Sequence, residues 1–219
     1  MPPTLTVYTS VFGDTDPLYD SPIKSAARFI CLTDNKDLKS RTWEMVYVGP
    51  VERPNRHSRV VKALSHQYTD TPWSLWMDCN FTLSVDPTTL IGLGDFVNFR
   101  HPDRDIVQAE ATEIVRLGKA KAATVAQQLH AYVQEGFTVD QPLPYGLGNN
   151  GVVLRHHTPA VRQLNELWHE QHQRYTLRDQ LCVDYVMWKQ GFTPQRFPGH
   201  YRDNPYFTYH KSRKPITDF

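Results

Sequence analysis

With only three cysteines in 219 residues, no run of 18 apolar residues and no surplus of either charge, the sequence excludes several classes of protein at once. Cys31, Cys79 and Cys182 are odd in number, widely spaced and each set in an apolar run, which argues against a disulfide framework and against a zinc module. A reducing cytosol fits best. Lys and Arg number 24 against 23 acidic residues, a formal net charge of +1, so no global field draws the chain toward nucleic acid or anionic lipid. Any phosphate-binding surface must be local. Met1-Pro2-Pro3-Thr4 lacks a basic segment leading into an apolar core, and no stretch is long enough to span a bilayer. The expectation is a water-soluble, cytoplasmic chain with no membrane span. Also missing are Gly-x-x-x-x-Gly-Lys-Ser/Thr, Gly-x-Gly-x-x-Gly after the first strand, and Gly-x-Ser-x-Gly. Kinase, dehydrogenase and α/β-hydrolase readings lose support together.

What is present is ordinary globular composition, 40% hydrophobic and 21% charged, in a length that suits one domain. Short β-branched and aromatic runs at 5–10, 29–33, 43–48, 73–77, 95–99 and 152–154 read as strands. Between them, apolar positions recur at helical spacing over 56–68, 106–118, 119–134 and 160–175, with Thr158-Pro159 opening the last of these. Thr176 is expected to cap one more helix that ends near Gly191. Strands alternating with helices predict a single-domain α/β fold, its mixed, mostly parallel sheet flanked by helices. The two halves, 1–100 and 101–219, are expected to serve nucleotide binding and acceptor binding respectively.

Chemistry concentrates in RVVKALSHQYTDTPWSLWMDCNFTLSVDP, residues 59–87. A carboxylate placed where a buried strand ends lies at the carboxyl edge of the sheet, where open α/β folds bind ligands. Asp78 has that position. Asn80 follows two residues on and points the same way along extended backbone, so the pair can hold one hard cation that bridges a diphosphate. The alternative is that Asp78 caps a turn and Asn80 fills it.

The order of a basic-edged helix (Arg59, Lys62), then Tyr68, the apolar strand and Asp78-x-Asn80, resembles the nucleotide-sugar site of small GT-A glycosyltransferases of the glycogenin-like outline. Asn149-Asn150-Gly151-Val152 resembles the Asn-Ser-Gly-Val strand of that family, and Arg178-Asp179-Gln180-Leu181 its Asp-Gln motif. His210-Lys211-Ser212-Arg213-Lys214-Pro215 is similar to its C-terminal His followed by Lys-Pro. Val7-Tyr8-Thr9-Ser10-Val11-Phe12-Gly13-Asp14 and Cys31-Leu32-Thr33-Asp34 resemble more closely a glycosyltransferase-like family of bacteria, phages and plants that includes plant proteins of pectin and mucilage synthesis. The resemblance runs from about Leu5 to Pro215.

It implies a GT-A-like, Rossmann-like fold and transfer of a sugar from a nucleotide diphosphate, a UDP-sugar, to a hydroxyl acceptor. In this reading Tyr8, Thr9 and Asp34 line the nucleoside pocket, and Arg59, Lys62, Asn149, Asn150, Gly151 and Lys214 face the donor. Asp78, Asn80 and His210 would hold Mn2+ or Mg2+, although the glycogenin-like pattern has a carboxylate where this chain has Asn80. Asp179 is the candidate reacting carboxylate, a general base or a group that positions the donor sugar. Its structural alternative is a first-turn acid stabilised by the helix dipole.

Gln180, His101 and Arg104 are candidates for the acceptor or sugar side, with surface ion pairing as the alternative for Arg104. The loop 142–148 is expected to shape that pocket or merely to turn. The aromatic, basic tail from Tyr201 to Lys214 can fold over the diphosphate, present a stacking surface to nucleic acid, or pack across the sheet. The acceptor is then a glycan or a hydroxymethylated DNA base, in the cytoplasm of a bacterium or a phage-infected cell, with no obligate protein partner. A sugar nucleotidyltransferase and a non-catalytic nucleotide-sugar-binding module remain as alternatives. His156, His157, His169 and His172 are expected to be exposed helix histidines, because His169-x-x-His172 has the wrong spacing for a zinc-protease motif and no third ligand accompanies it.

Overall fold

A computed structural model describes residues 2–13 and 17–211. Its strands are β1 (Leu5–Val11), β2 (Arg28–Thr33), β3 (Glu44–Tyr47), β4 (Trp73–Met77), β5 (Phe81–Leu83), β6 (Phe96–Arg100), β7 (Gly148–His156), β8 (Gln195–Arg196) and β9 (Phe207–Tyr209). The helices are α1 (Pro54–Ala63), α2 (Ser65–Tyr68), α3 (Val107–Arg116), α4 (Ala122–Gln134), α5 (Pro159–Arg174) and α6 (Asp179–Lys189). Seven strands form one sheet in the order β3-β2-β1-β4-β7-β6-β8, while β5 and β9 pair separately. Within the large sheet β7 runs antiparallel to both its neighbours and the other described pairings are parallel. The expected mixed, mostly parallel α/β sheet is therefore present. No helix among the described residues is long and apolar enough to cross a membrane.

The antiparallel strand positions the site. Because β7 runs backward, its first residues lie at the edge where β4 ends: Val152 pairs with Met77, and the Asp78 amide donates to the Gly151 carbonyl at 2.8 Å. Asn149, Asn150 and Gly151, which precede the strand expected at 152–154, are strand residues. The irregular pairing between Asn98 and Phe99 of β6 absorbs the change of register. Gly151 is closely approached, since a Cβ there would meet the Phe81 ring at 3.0 Å.

Side chains alternate across the sheet and divide the core in two. One cluster joins Tyr8, Ile30, Trp76 and Val153 to the buried residues Val61, Ile114, Tyr132, Trp168 and Met187 of the helices. The other joins Val7, Cys31, Leu75 and Leu154 to Trp43, Phe81, Leu90, Phe197 and Phe207. The tail is thus partly core: Phe207 is buried, and Tyr201, Tyr206 and Tyr209 pack against the same cluster.

Two local expectations change. The helix anticipated over 56–68 breaks at Leu64 (φ −91°, ψ 44°) into α1 and α2. Thr176 does not cap α6: its hydroxyl bonds Gln128 Oε1 at 2.8 Å, and Arg178 stands at the cap position without a side-chain cap bond. Thr158 does cap α5, accepting from the Val161 amide at 3.3 Å.

The histidines are also revised. His156 and His157 lie at the end of β7 and just beyond it, and none of the four is exposed. His157 Nε2 lies 3.1 Å from Ser65 Oγ and 2.9 Å from Ser74 Oγ, and its Nδ1 is 3.1 Å from the Thr71 carbonyl. A carbonyl only accepts, so Nδ1 carries the proton and Nε2 receives the hydroxyls. Burial, reinforced by the Arg155 and Arg162 charges, pushes the His157 pKa down to about 3.

The folded state therefore binds fewer protons than the unfolded state between about pH 6.5 and 3. Stability contributed by neutral His157 is complete above the unfolded value and is lost as pH falls through this window. The urea midpoint is expected to fall between pH 7 and pH 5, with a slope approaching about 1.4 kcal/mol per pH unit below pH 6. His157→Gln should flatten the slope. A wild-type profile that is flat from pH 7 to pH 5 would contradict the buried neutral imidazole.

Candidate functional site

The central group is the Lys62 ammonium, from the last turn of α1, with a side chain 1% exposed. It lies 2.8 Å from Asp179 Oδ2 and 3.3 Å from Asp78 Oδ1, 5.6 Å from the centre of the Trp76 ring. Arg59, one turn earlier on α1, reaches the same Asp179 oxygen at 3.0 Å. Trp76 donates its indole N–H to Asp78 Oδ1 at 2.7 Å. The sequence feature behind this is simple: i and i+3 on a helix share a face, so Arg59 and Lys62 converge.

The helix end is itself anchored. The last carbonyls of a helix have no intrahelical partner. Fully buried Arg155 of β7 donates to the Lys62 carbonyl at 2.7 Å and to the Ala63 carbonyl at 3.0 Å, and the Tyr8 hydroxyl also reaches the Lys62 carbonyl at 3.1 Å. Arg155 further bonds Tyr8 Oη and, at 2.9 Å, Asn165 Oδ1. Lys62 therefore enters the site from an immobilised main chain.

Asp179 opens α6 and is 4% exposed. Burial alone would raise its pKa, but the Lys62 and Arg59 charges, with His172 beside it, hold the carboxyl well below the usual range. For Arg59 the same contest has the same outcome: burial works to lower its pKa, and Asp179 and Asp78 outweigh it, so the guanidinium stays charged. His172 is 2% exposed, not exposed as expected, and burial lowers its pKa. Its Nε2 lies 3.1 Å from Asp179 Oδ1 and 3.2 Å from the Trp168 indole nitrogen, an obligatory donor. In the neutral ring Nε2 accepts from Trp168, and Asp179 Oδ1 is left without a hydrogen-bond donor.

Arg178, at the cap position of α6, adds a third cation. Its Nε is buried without a hydrogen-bond partner, and burial together with the neighbouring Arg59 charge lowers its pKa. Neither Arg178 nor His172 was given a role at this site from sequence. The signal for Arg178 was its place beside Asp179; for His172 it was the i, i+4 pairing with Trp168, which puts both on the buried face of α5.

The other expected residues divide. Asp34 lies where β2 ends and accepts from the Gly13 amide at 2.9 Å, so it holds the loop after β1 at the same sheet edge. Thr9 is buried with its hydroxyl unpartnered. Tyr8 has no exposed face for a nucleoside; it lies beneath the site, edge-on to Trp76 at 5.1 Å. Asn149 Oδ1 accepts from the Gly151 amide at 3.1 Å, and Asn150 Oδ1 from Asn98 at 2.6 Å. Gln180 is half-buried in the first turn of α6.

His101 and Arg104 form a local cluster of their own. Both turn to Glu110, Arg104 in contact and His101 at 3.5 Å, and the His101 ring accepts the Arg104 amide at 3.1 Å. The loop 142–148 is pinned rather than open: Arg196 donates to the Tyr145 and Gly146 carbonyls at 3.1 and 2.6 Å, and Asp184 receives the Gly148 amide at 2.9 Å. Lys214 lies outside the described residues. Two surface cavities, one of 480 Å3 beside His157 and one of 600 Å3 beside Lys24, include none of the charged cluster.

The expected metal set can be tested on its donors. The β5–β9 pairing does bring the His210 amide to the Asn80 carbonyl at 2.8 Å. The His210 imidazole, however, bonds Thr82 Oγ1 at 3.0 Å and stacks on Tyr19 at 4.2 Å. Asp78 Oδ1 is taken by an indole and an ammonium, and Asn80 Oδ1 is buried without a partner. Among the described residues no group of three His, Cys, Asp or Glu could hold a metal ion. With Oδ1 of the single carboxylate engaged by an indole and an ammonium, the described donors offer few of the several hard oxygens a divalent cation seeks.

A single α/β domain whose charged side chains converge at the carboxyl edge of a mostly parallel sheet is consistent with the GT-A-like class. Residues 24–201 match the family model for the TOD1/MUCI70 glycosyltransferase-like domain, and the chain belongs to that family. It is similar to the probable hexosyltransferase MUCI70 of Arabidopsis thaliana, 30% identical over an alignment of 157 residues that covers 66% of this chain. The match spans 27% of that relative's length.

Removing one member of a buried pair strands the other. Lys62→Met is expected to lower stability by about 3–5 kcal/mol in urea unfolding. In the double variant with Asp179→Asn the losses should be markedly less than additive. Additive losses would show that the two groups are not coupled.

Proposed function

We propose that this chain transfers a hexose from a nucleotide diphosphate sugar, with UDP as the nucleotide, to a hydroxyl of a glycan acceptor. The observation that carries the reading is the Lys62 ammonium buried between Asp78 and Asp179 with Arg59 alongside, at the carboxyl edge of the sheet in a glycosyltransferase-like domain. Glycosyl transfer from such a donor places growing negative charge on the departing diphosphate, and preorganised cations aimed at it lower the barrier. The nucleoside would lie toward the ends of β1 and β2, where Asp34 and Gly13 meet.

In the transfer the acceptor oxygen bonds to the anomeric carbon as the bond from that carbon to the β-phosphate oxygen breaks. The bonding electron pair leaves with the diphosphate. An efficient general base has a pKa near the working pH, and Asp179 is held far more acidic than that. Asp179 is therefore assigned to ordering Lys62 and Arg59, and the acceptor proton passes to the departing diphosphate. Tyr201, Tyr206 and Tyr209 are half-buried against the core, which reduces the stacking surface the described tail could offer a DNA base.

Asp179→Asn separates a transferase from a module that only binds nucleotide sugar. Turnover of UDP-hexose, measured as UDP released, is expected to fall by at least about 100-fold. The thermal shift given by UDP should persist, because both cations remain. Wild-type protein that binds UDP-hexose but releases no UDP with any glycan acceptor would contradict the transferase. A failure of UDP and UDP-hexose to shift the melting temperature at all would remove the donor assignment.

A further inference from the structure

The donor set around Asp78 and the surplus of fixed cations beside it point to a site that dispenses with a metal ion. We propose that Lys62, Arg59 and Arg178 together neutralise the donor diphosphate in the place a divalent cation would take, so that donor binding is independent of metal. This rests on the donor assignment above.

Four observations converge on it. The Lys62 ammonium, 1% exposed, already occupies the mouth of the single carboxylate a cation would use, 3.3 Å from Asp78 Oδ1. Its main chain is fixed by Arg155 and Tyr8, and its side chain is held between Asp78 and Asp179. The His210 imidazole is engaged by Thr82 and stacked on Tyr19.

The charge count supplies the fourth. Lys62, Arg59 and Arg178 face two carboxylates, Asp78 and Asp179, and Glu110 nearby is engaged by Arg104 and His101. Asp179 binds Lys62 and Arg59 through one oxygen and leaves Arg178 unpaired: the Arg178 side chain makes no hydrogen bond among the described residues. Among the described residues the cluster thus carries at least one positive charge more than it balances. A dication would add to that surplus, whereas a diphosphate removes it. Arg178 also has the fork of donors that suits phosphate oxygens, which a lysine lacks.

The test compares ligand binding by calorimetry with UDP and with inorganic pyrophosphate, in 5 mM EDTA and in 5 mM Mn2+ or Mg2+, these being conditions chosen at roughly saturating levels. UDP affinity is expected to agree within about threefold across the three conditions, and pyrophosphate should compete with UDP. Arg178→Gln should weaken UDP at least about tenfold in EDTA while leaving the melting temperature of the free protein within a few degrees. Arg178→Lys should recover only part of that loss.

Binding of UDP that appears only with Mn2+ or Mg2+ would overturn the metal-free reading and leave the donor assignment standing. UDP affinity unchanged by Arg178→Gln would remove Arg178 from the diphosphate site. No binding of UDP in any of the three conditions would overturn both the donor assignment and this inference.

Discussion

An ammonium in a place water does not reach has to be matched by fixed negative charge, and the described fold is organised around meeting that demand for Lys62. The cost of removing a charge from water is several kcal/mol per ion, repaid only by close partners in good geometry. Asp179 and Asp78 provide those partners, and each depends on a different element. Asp78 requires that β4 end there; Asp179 requires that α6 begin there; Lys62 requires that α1 stop at Leu64. A shift of one residue in any of these would leave a buried charge without its counterpart.

Arg155 links this polar centre to the hydrophobic scaffold. It projects from the antiparallel strand into the helical side of the core, where it satisfies the two carbonyls that the end of α1 leaves open. Among the described residues its guanidinium forms no ion pair with a carboxylate, and it is surrounded by Tyr8, Trp168 and Asn165. Carbonyl oxygens and ring faces replace water around it. The same strand presents Gly151 to Asp78 and Asn150 to Asn98. Strand β7 therefore does more than complete the sheet: its reversed direction is what brings a polar, glycine-containing segment to the edge formed by parallel neighbours.

Much of the fold was legible because its signals are local. The β-branched runs marked β1, β2 and β4, the Thr158-Pro159 pair marked α5, and the break after Met77 marked the position of Asp78. The convergence of Arg59 and Lys62 followed from helical spacing. What escaped was long-range. The direction of β7 cannot be read from its own alternation, and the strand was expected to begin only at Val152. The β5–β9 pair joins residues more than a hundred positions apart, and neither strand exceeds three residues. His172 and Arg178 gain their character from burial beside Asp179, and a histidine or arginine looks the same in sequence whether solvated or enclosed. Tyr8 shows the converse case, a residue at the expected strand that turns to the core instead of the ligand edge.

The metal set shows what spacing leaves open. Asp-x-Asn places two oxygen donors on one side of an extended chain, and that much holds for many turns. Whether they bind a cation depends on what else occupies the space, and here it is an ammonium delivered by α1. The most direct measurement is a crystal structure of the chain with UDP-hexose bound. Diphosphate oxygens within hydrogen-bond distance of Lys62 Nζ and of the Arg59 guanidinium are the expected result. A diphosphate seated away from both, for example against Arg162 in the cavity beside His157, would contradict the assignment of this edge of the sheet as the donor site.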